Sequence, residues 1–310
     1  MKIRCWRAAA MVLLAASLAQ PTTTVAATHA APATSRRTIQ TSSGTASAPR
    51  PKAKRRRARR APPGGVWSRH AIVVDPATGQ VLYEKNAGRS VPIASITKLM
   101  TALVFLEQRP DLDRLVEVTR QELTGGGHTQ LRNRERVALR DLLHMSLMVS
   151  DNVATRVLAR ESGLAPEDFL AAMNRRALEL GMTHTRFVET TGLDERNVST
   201  ASDVATLLKA AASEPTIRAI TTLRSHEFRS ATRPHVIGNT NRLLYGQYEV
   251  LGGKTGFISA AGYCFTTWIR SQGRDLIAVV LGAPTNATRF ADVVRLVQRT
   301  SSASIAPSQP

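Results

Sequence analysis

Apolar positions change their period along this chain, and the changes mark its elements. Ala71–Asp75 is a continuous apolar run, Pro76-Ala77-Thr78-Gly79 carries turn chemistry, and Gln80–Lys85 returns, which predicts a hairpin. Ala94–Leu106 is apolar nearly all round, as in a helix buried in a domain core. Residues 139–225 are helical in character. Leu139, Leu142, Leu143, Met145, Leu147 and Met148 form one apolar face there, and Asp203–Ala212 reads as a further helix capped by Thr200 or Ser202. The chain then turns to strands at Glu249–Ser259, Tyr263–Arg270 and Asp275–Gly282, whose short connections predict an antiparallel meander. Arg289–Arg299 closes as an amphipathic helix with Phe290, Val293, Val294, Leu296 and Val297 as its apolar residues. The expected architecture is α/β (α+β): a five-stranded antiparallel sheet, made by the hairpin and the last three strands and interrupted by a helical insertion. No internal repeat is found.

Composition adds a leader. The first 65 residues hold 13 of the 42 Lys+Arg residues and no Asp or Glu, so most of the formal net charge of +19 sits there. Met1–Arg7 followed by the apolar run Ala8–Ala19 reads as a secretory signal peptide, since the run is shorter than the roughly 20 residues that span a bilayer. Small residues at Ser17 and Ala19, or at Val25 and Ala27, offer two cleavage sites. The expected organisation is a signal peptide over 1–27, a disordered basic linker over 28–65, a catalytic domain over 66–300 and a disordered tail over 301–310. The expected location is the periplasm. The run Lys52–Arg60 offers electrostatic contact with an anionic envelope surface, or serves as a spacer; no nucleic-acid partner is expected. Cleavage leaves Cys264 as the only cysteine, which excludes an intramolecular disulfide, and its apolar setting predicts a buried, inert thiol. The seven histidines show no metal-ligand spacing; His184, His226 and His235 read as structural or surface singles, so no metal or cofactor is expected.

Three motifs carry chemistry: Ser95-Ile96-Thr97-Lys98, Ser150-Asp151-Asn152 and Lys254-Thr255-Gly256. Ser95 and Lys98 lie three positions apart on a helix and so share a face. A serine hydroxyl needs a base, and Lys98 serves only if burial and a second cation, Lys254, lower its pKa from about 10.4. Ser150 is placed to relay a proton between Lys98 or Lys254 and a leaving amine, and it also reads as an N-cap for a helix from Asn152, with Asp151 as a first-turn acid. Asn152 is expected to present its amide to a substrate backbone. Lys254 and Thr255 sit on an expected edge strand, for charge balance and a substrate carboxylate, and the small residues Gly253 and Gly256 allow a peptide to approach. The N–H groups of Ser95 and Phe257 are candidates for an oxyanion hole. Arg289 is a candidate second carboxylate anchor or a surface arginine. Gly125-Gly126-Gly127 lacks the Lys-Ser/Thr of a phosphate loop and reads as a flexible turn.

With these motifs the chain resembles the low-molecular-mass penicillin-binding proteins of the D-alanyl-D-alanine carboxypeptidase/endopeptidase family, in particular the penicillin-binding protein 7 type. The resemblance runs through Pro92–Ala102, Gly181–Glu189, Thr191-Gly192-Leu193, Asn239-Thr240-Asn241, Lys254–Phe257, Ala260–Cys264 and Phe290-Ala291-Asp292. It implies the serine β-lactamase/transpeptidase-like fold, an acyl-enzyme on Ser95 with Lys98 as proton acceptor, and a cleft lined by Ser150, Asn152, Lys254 and Thr255. The implied substrate is a D-alanyl bond in a peptidoglycan stem or cross-link, with β-lactams as covalent inhibitors. The basic leader departs from the family pattern, as does the expected lack of a C-terminal anchor. A class A-like β-lactamase carries the same motifs but adds Glu-x-x-Leu-Asn, where this chain has Glu189-Thr190-Thr191-Gly192-Leu193 with no Asn after the leucine. A non-catalytic polyanion-binding envelope protein is the other alternative.

Overall fold

The computed structural model describes residues 65–303. The expectations for the signal peptide, nearly all of the basic linker and the end of the tail lie outside the described residues. The elements run β1 (His70–Val74), β2 (Val81–Lys85), β3 (Val91–Pro92), a 3-10 turn (Ala94–Thr97), α1 (Lys98–Glu107), β4 (Leu115–Glu117), α2 (Arg120–Leu123) and β5 (Arg136–Ala138). They continue with α3 (Leu139–Met148), α4 (Asn152–Arg160), α5 (Pro166–Glu179), β6 (Val198–Ser199), α6 (Ala201–Ser213), α7 (Pro215–Thr222), β7 (Ser225–Arg229) and β8 (Pro234–Gly238). After a second 3-10 turn (Arg242–Tyr245) come β9 (Glu249–Ile258), β10 (Gly262–Ser271), β11 (Arg274–Ala283) and α8 (Asn286–Ala303).

The sheet has the expected five strands, in the order β2-β1-β11-β10-β9, antiparallel throughout. Its period of two separates two cores. Leu276, Ala278 and Val280 of β11, with Ala71 and Val73 of β1, pack on one face against Phe290, Val293, Leu296 and Val297 of α8. Ile277, Val279, Leu281 and Ile72 point to the other face, into the larger helical core. Burial on both faces is why these strands read as continuous apolar runs. Each such side chain contributes about 2 kcal/mol by leaving water. Asp292 of α8 fastens the start of the domain, accepting bonds from Trp67 N at 3.0 Å, Ser68 N at 2.7 Å and Ser68 Oγ at 2.7 Å. Helix α8 runs on to Ala303, past the expected domain end at 300, and Thr200 rather than Ser202 caps α6 by accepting from Asp203 N at 3.0 Å. Among the described residues no helix is long and apolar enough to cross a membrane.

The helical insertion also contains an unexpected hairpin, β7–β8. It is held to the segment before β5 by Glu135, which is buried and accepts from Ser230 Oγ at 2.7 Å and Arg233 Nε at 3.2 Å, with His235 Nε2 at 2.7 Å. Burial alone would raise the Glu135 pKa, but the bonds from Arg233, Ser230, His235 and the Arg132 N–H overrule it and hold the carboxyl at about 2. A depressed pKa stabilises the fold above the ordinary carboxylate value, and the contribution disappears as pH falls from about 4.5 towards 2. Glu135→Gln is expected to cost on the order of 2 kcal/mol at pH 7 in urea unfolding, with a smaller difference from the parent at pH 3. A difference independent of pH would contradict this.

Candidate active site

Ser95 lies in the 3-10 turn that precedes α1, not inside one helix as expected. Ala94 takes φ 49° at the start of this turn, and Thr97 Oγ1 closes the turn on Ala94 O at 2.8 Å. Lys98 is the first residue of α1 and is fully buried, with Nζ 2.9 Å from Ser95 Oγ. The same nitrogen bonds Asn152 Oδ1 at 2.7 Å and Thr191 O at 2.6 Å. Those two oxygens can only accept. A neutral amine therefore gives them its two hydrogens and leaves its lone pair for the Ser95 hydroxyl. Burial lowers the Lys98 pKa from 10.5 to about 7 against the opposing charges of Glu189 and Asp151, and Arg156 lowers it further. That displacement is a preference of roughly 5 kcal/mol for the neutral form relative to a lysine in water. Between the two lysines the push falls on Lys254, which burial, then Lys98 and Arg289, drive well below its ordinary value.

Ser150 joins α3 to α4 at φ 63°, a left-handed conformation costing about 1–3 kcal/mol for a residue with a side chain. Asp151, not Ser150, is the N-cap of α4, accepting from Ala154 N at 2.9 Å. This correction has a consequence: relieved of capping, Ser150 Oγ turns to Lys254 Nζ, which donates to it at 2.8 Å. Of the two lysines open to Ser150 from sequence, Lys254 is the one bonded. Asn152 uses both ends of its amide within the protein, since Nδ2 donates to Gly126 O at 2.9 Å. Within the glycine run Gly126 is packed against the wall of the cleft, while Gly125 and Gly127 stay exposed at positive φ in the expected turn. Arg156 Nη1 binds the carbonyls of Glu122 and Thr124, and a Cβ on Gly126 would lie 2.6 Å from Val153 Cγ2.

The third wall is β9, at the sheet edge as expected. Lys254 and Thr255 are buried there. Thr255 Oγ1 bonds Thr240 Oγ1 at 2.7 Å, and Thr240 is in turn fixed by N and Oγ1 on Met148 O, both at 3.0 Å. A Cβ on Gly256 would lie 3.0 Å from Ser95 N, so a larger residue would crowd the nucleophile's own backbone. Phe257 is half exposed and stacks on Tyr263 with ring centroids 4.3 Å apart. Arg289 is not a surface arginine. It is buried behind the strand, where Nη1 donates to Gly256 O at 2.9 Å and Cys264 O at 3.2 Å, so its bonds go to the backbone of β9 and β10. Burial lowers its pKa to about 10, which leaves it charged at neutral pH. Cys264 is buried and its pKa is raised by burial to about 11, in keeping with an inert thiol.

Asn197, Glu189 and Thr240 belong to this constellation and were given no role from sequence. Asn197 is fully buried. It accepts from Val188 N at 2.7 Å and donates to Glu189 Oε1 at 2.8 Å, while its carbonyl receives Ile93 N at 3.1 Å. Glu189 Oε2 takes Thr191 N at 2.7 Å and Thr191 Oγ1 at 2.6 Å, and Oε1 also takes Gly192 N. Both carboxylate oxygens are therefore spent on positioning the Thr191 carbonyl that meets Lys98, which leaves Glu189 unsuited to activating a water as the lactamase glutamate does. Gly192, at φ 84°, is the legible signal for this contact: a Cβ there would come within 2.0 Å of Ala94 O.

The arrangement sets one hydroxyl on a buried amine and a second hydroxyl on a second amine beside an open strand edge, a geometry able to support acyl transfer. In protein carrying 13C at lysine Cε, the Lys98 methylene is expected to titrate near pH 7, and Arg156→Gln to move that midpoint upwards. A midpoint near 10.5 would contradict the buried-base geometry.

A family profile described as D-alanyl-D-alanine carboxypeptidase matches residues 56–285. The chain is 37% identical over 236 residues to a D-alanyl-D-alanine endopeptidase of Escherichia coli, covering 74% of this chain and 76% of that protein. It is 38% identical over 231 residues to a D-alanyl-D-alanine endopeptidase of Pseudomonas aeruginosa, covering 73% and 74%. Among solved structures, the Streptomyces K15 DD-transpeptidase superposes with a TM-score of 0.73 at 25% identity, over 76% of this chain and 98% of that one. A D-alanyl-D-alanine carboxypeptidase of Mycobacterium tuberculosis superposes with a TM-score of 0.70 at 28% identity, over 78% and 93%.

Proposed function

The chain belongs to the D-alanyl-D-alanine carboxypeptidase family of serine peptidases, and from that premise we propose that Ser95 is the nucleophile of a D,D-peptidase that cuts D-alanyl bonds in peptidoglycan through an acyl-enzyme. The carrying observation is the buried Lys98 amine, whose nitrogen lies 2.9 Å from Ser95 Oγ, 2.7 Å from Asn152 Oδ1 and 2.6 Å from Thr191 O; in its neutral form its hydrogens go to the two carbonyl oxygens and its lone pair to the Ser95 hydroxyl. Lys98 takes the hydroxyl proton as Oγ attacks the D-alanyl carbonyl. The oxyanion is received by the N–H groups of Ser95 and Phe257, supported by the close approach of Gly256 to Ser95. The leaving amine takes a proton from Ser150 Oγ, and the proton that Lys98 took from Ser95 replaces it by way of Lys254, which returns Lys98 to its neutral form. Water then attacks the ester as neutral Lys98 takes a proton from it, and Lys98 passes that proton to Ser95 Oγ as the ester breaks, which releases the acid product and restores the serine. Lys254 and Thr255 provide an edge of N–H and O–H donors for a substrate carboxylate, and Arg289 keeps that edge against Ser95 by its bond to Gly256 O.

The likeness to endopeptidases supports D-alanyl–diaminopimelyl cross-links as the preferred substrate, and β-lactams as acylating inhibitors of the same serine. A substrate outside the cytoplasmic membrane, with the leader pattern of residues 1–27, supports export to the periplasm. Purified cross-linked muropeptide dimers and uncross-linked pentapeptide monomers, followed by chromatography and mass spectrometry, test this reading. Dimers are expected to be cleaved with at least tenfold higher kcat/KM than terminal D-alanine is released, and Ser95→Ala is expected to lose at least about 10^3-fold in both. Release of terminal D-alanine alone would overturn the cross-link preference, and an active Ser95→Ala variant would overturn the mechanism.

A further inference from the structure

Away from the cleft, α3 and the hairpin β7–β8 meet through a cluster that the mechanism does not use. Asp141 and His144 are three positions apart on α3 and share its face, and β7 lays His226 against them from 85 residues away in sequence. His226 Nε2 is 2.9 Å from Asp141 Oδ1. The imidazoles of His144 and His226 stand face to face, with centroids 3.7 Å apart and 12° between their planes. One ligand atom from each of the three residues lies within 4.8 Å of the other two. Asp141 is buried and both histidines are half-buried, so the group is neither a solvated surface patch nor a sealed core.

The chemistry of the donors is specific. His144 Nδ1 is 2.7 Å from Arg140 O, a carbonyl that can only accept, so the proton sits on Nδ1 and the Nε2 lone pair is free. A histidine whose far nitrogen is anchored on a backbone carbonyl is the usual state of a metal ligand. A carboxylate and an imidazole at i and i+3 on one helix, completed by an imidazole from a neighbouring element, form a three-ligand set with room for water.

We propose that Asp141, His144 and His226 bind a divalent transition-metal cation of the zinc class, pinning the β7–β8 hairpin to α3. Binding replaces the His226–Asp141 hydrogen bond and turns the two rings out of their stack so that their nitrogens converge. Two imidazoles and one carboxylate suit zinc, with copper and nickel as competitors, and disfavour magnesium or calcium, which prefer all-oxygen sites. The position gives binding a structural consequence. Helix α3 runs directly into Ser150, and the chain after β8 carries Thr240, which bonds both Met148 O and Thr255 Oγ1. A cation here ties together the two segments that carry one wall of the cleft.

The test is a titration of zinc alone into the metal-free full chain at pH 7.5, in competition with a chromogenic chelator. One zinc per chain is expected with a Kd below about 10 µM, weakened at least tenfold in His144→Ala and in His226→Ala. Circular dichroism of each variant checks that the fold persists. Excess zinc is expected to raise the Tm of the parent chain and not of the double variant His144→Ala/His226→Ala. Affinity weaker than about 10 µM in the parent, or zinc binding undiminished in the double variant, would overturn the proposal.

Discussion

The three hydrogen bonds of the Lys98 amine are the constraint around which this molecule is arranged. A lysine nitrogen without solvent must shed its charge or be paired, and the partners of this one are two fixed carbonyl oxygens and a hydroxyl. None of them is a carboxylate. Burial therefore selects the neutral amine, and geometry selects which direction its lone pair takes. Each partner comes from a different part of the chain: the 3-10 turn before α1, the first residue of α4 and the segment after α5. Fixing this amine thus requires the helical insertion to be folded onto the sheet, which is why so few buried side chains need so large a scaffold.

Close backbone approach is the second requirement. The Thr191 carbonyl reaches Lys98 only because Gly192 lies directly on the Ala94 carbonyl, and β9 reaches Ser95 only because position 256 has no side chain. Buried polar groups hold these approaches in register. Asn197 and Glu189 fix the loop, Thr240 fixes Thr255, and Arg289 grips the Gly256 carbonyl from behind. Glu189 also shows how environment assigns roles: with both oxygens consumed by its own loop, it positions the base and tunes its charge. Glu189 is therefore not poised to activate a water for hydrolysis of a β-lactam ester.

Much of this was legible in the residues. The strands β1 and β11 stand out because burial on both sheet faces makes them nearly continuous apolar runs, and the three motifs stand out because their spacing on helix and strand is compatible with one cleft. What was not legible depends on contacts distant in sequence. The positive φ of Ala94 and the left-handed Ser150 are backbone conformations imposed by packing on residues with no turn preference strong enough to announce them. Arg289 reads equally as surface or site until β9 is seen in front of it. The β7–β8 hairpin, Ser225–Arg229 with Pro234–Gly238, is largely polar, and its buried contacts run through Glu135 and Asp141, far away along the chain. Asn197 carries no local pattern at all, because its partners converge only after folding.

The central claim is that Ser95, activated by this buried amine, forms a covalent acyl-enzyme and holds it. Intact-mass spectrometry after incubation with benzylpenicillin, run beside Ser95→Ala, measures this directly. The account predicts one penicilloyl group per chain that persists after excess drug is removed and is absent from the variant. Rapid loss of the adduct with accumulating penicilloate, or no adduct on the parent chain, would contradict it.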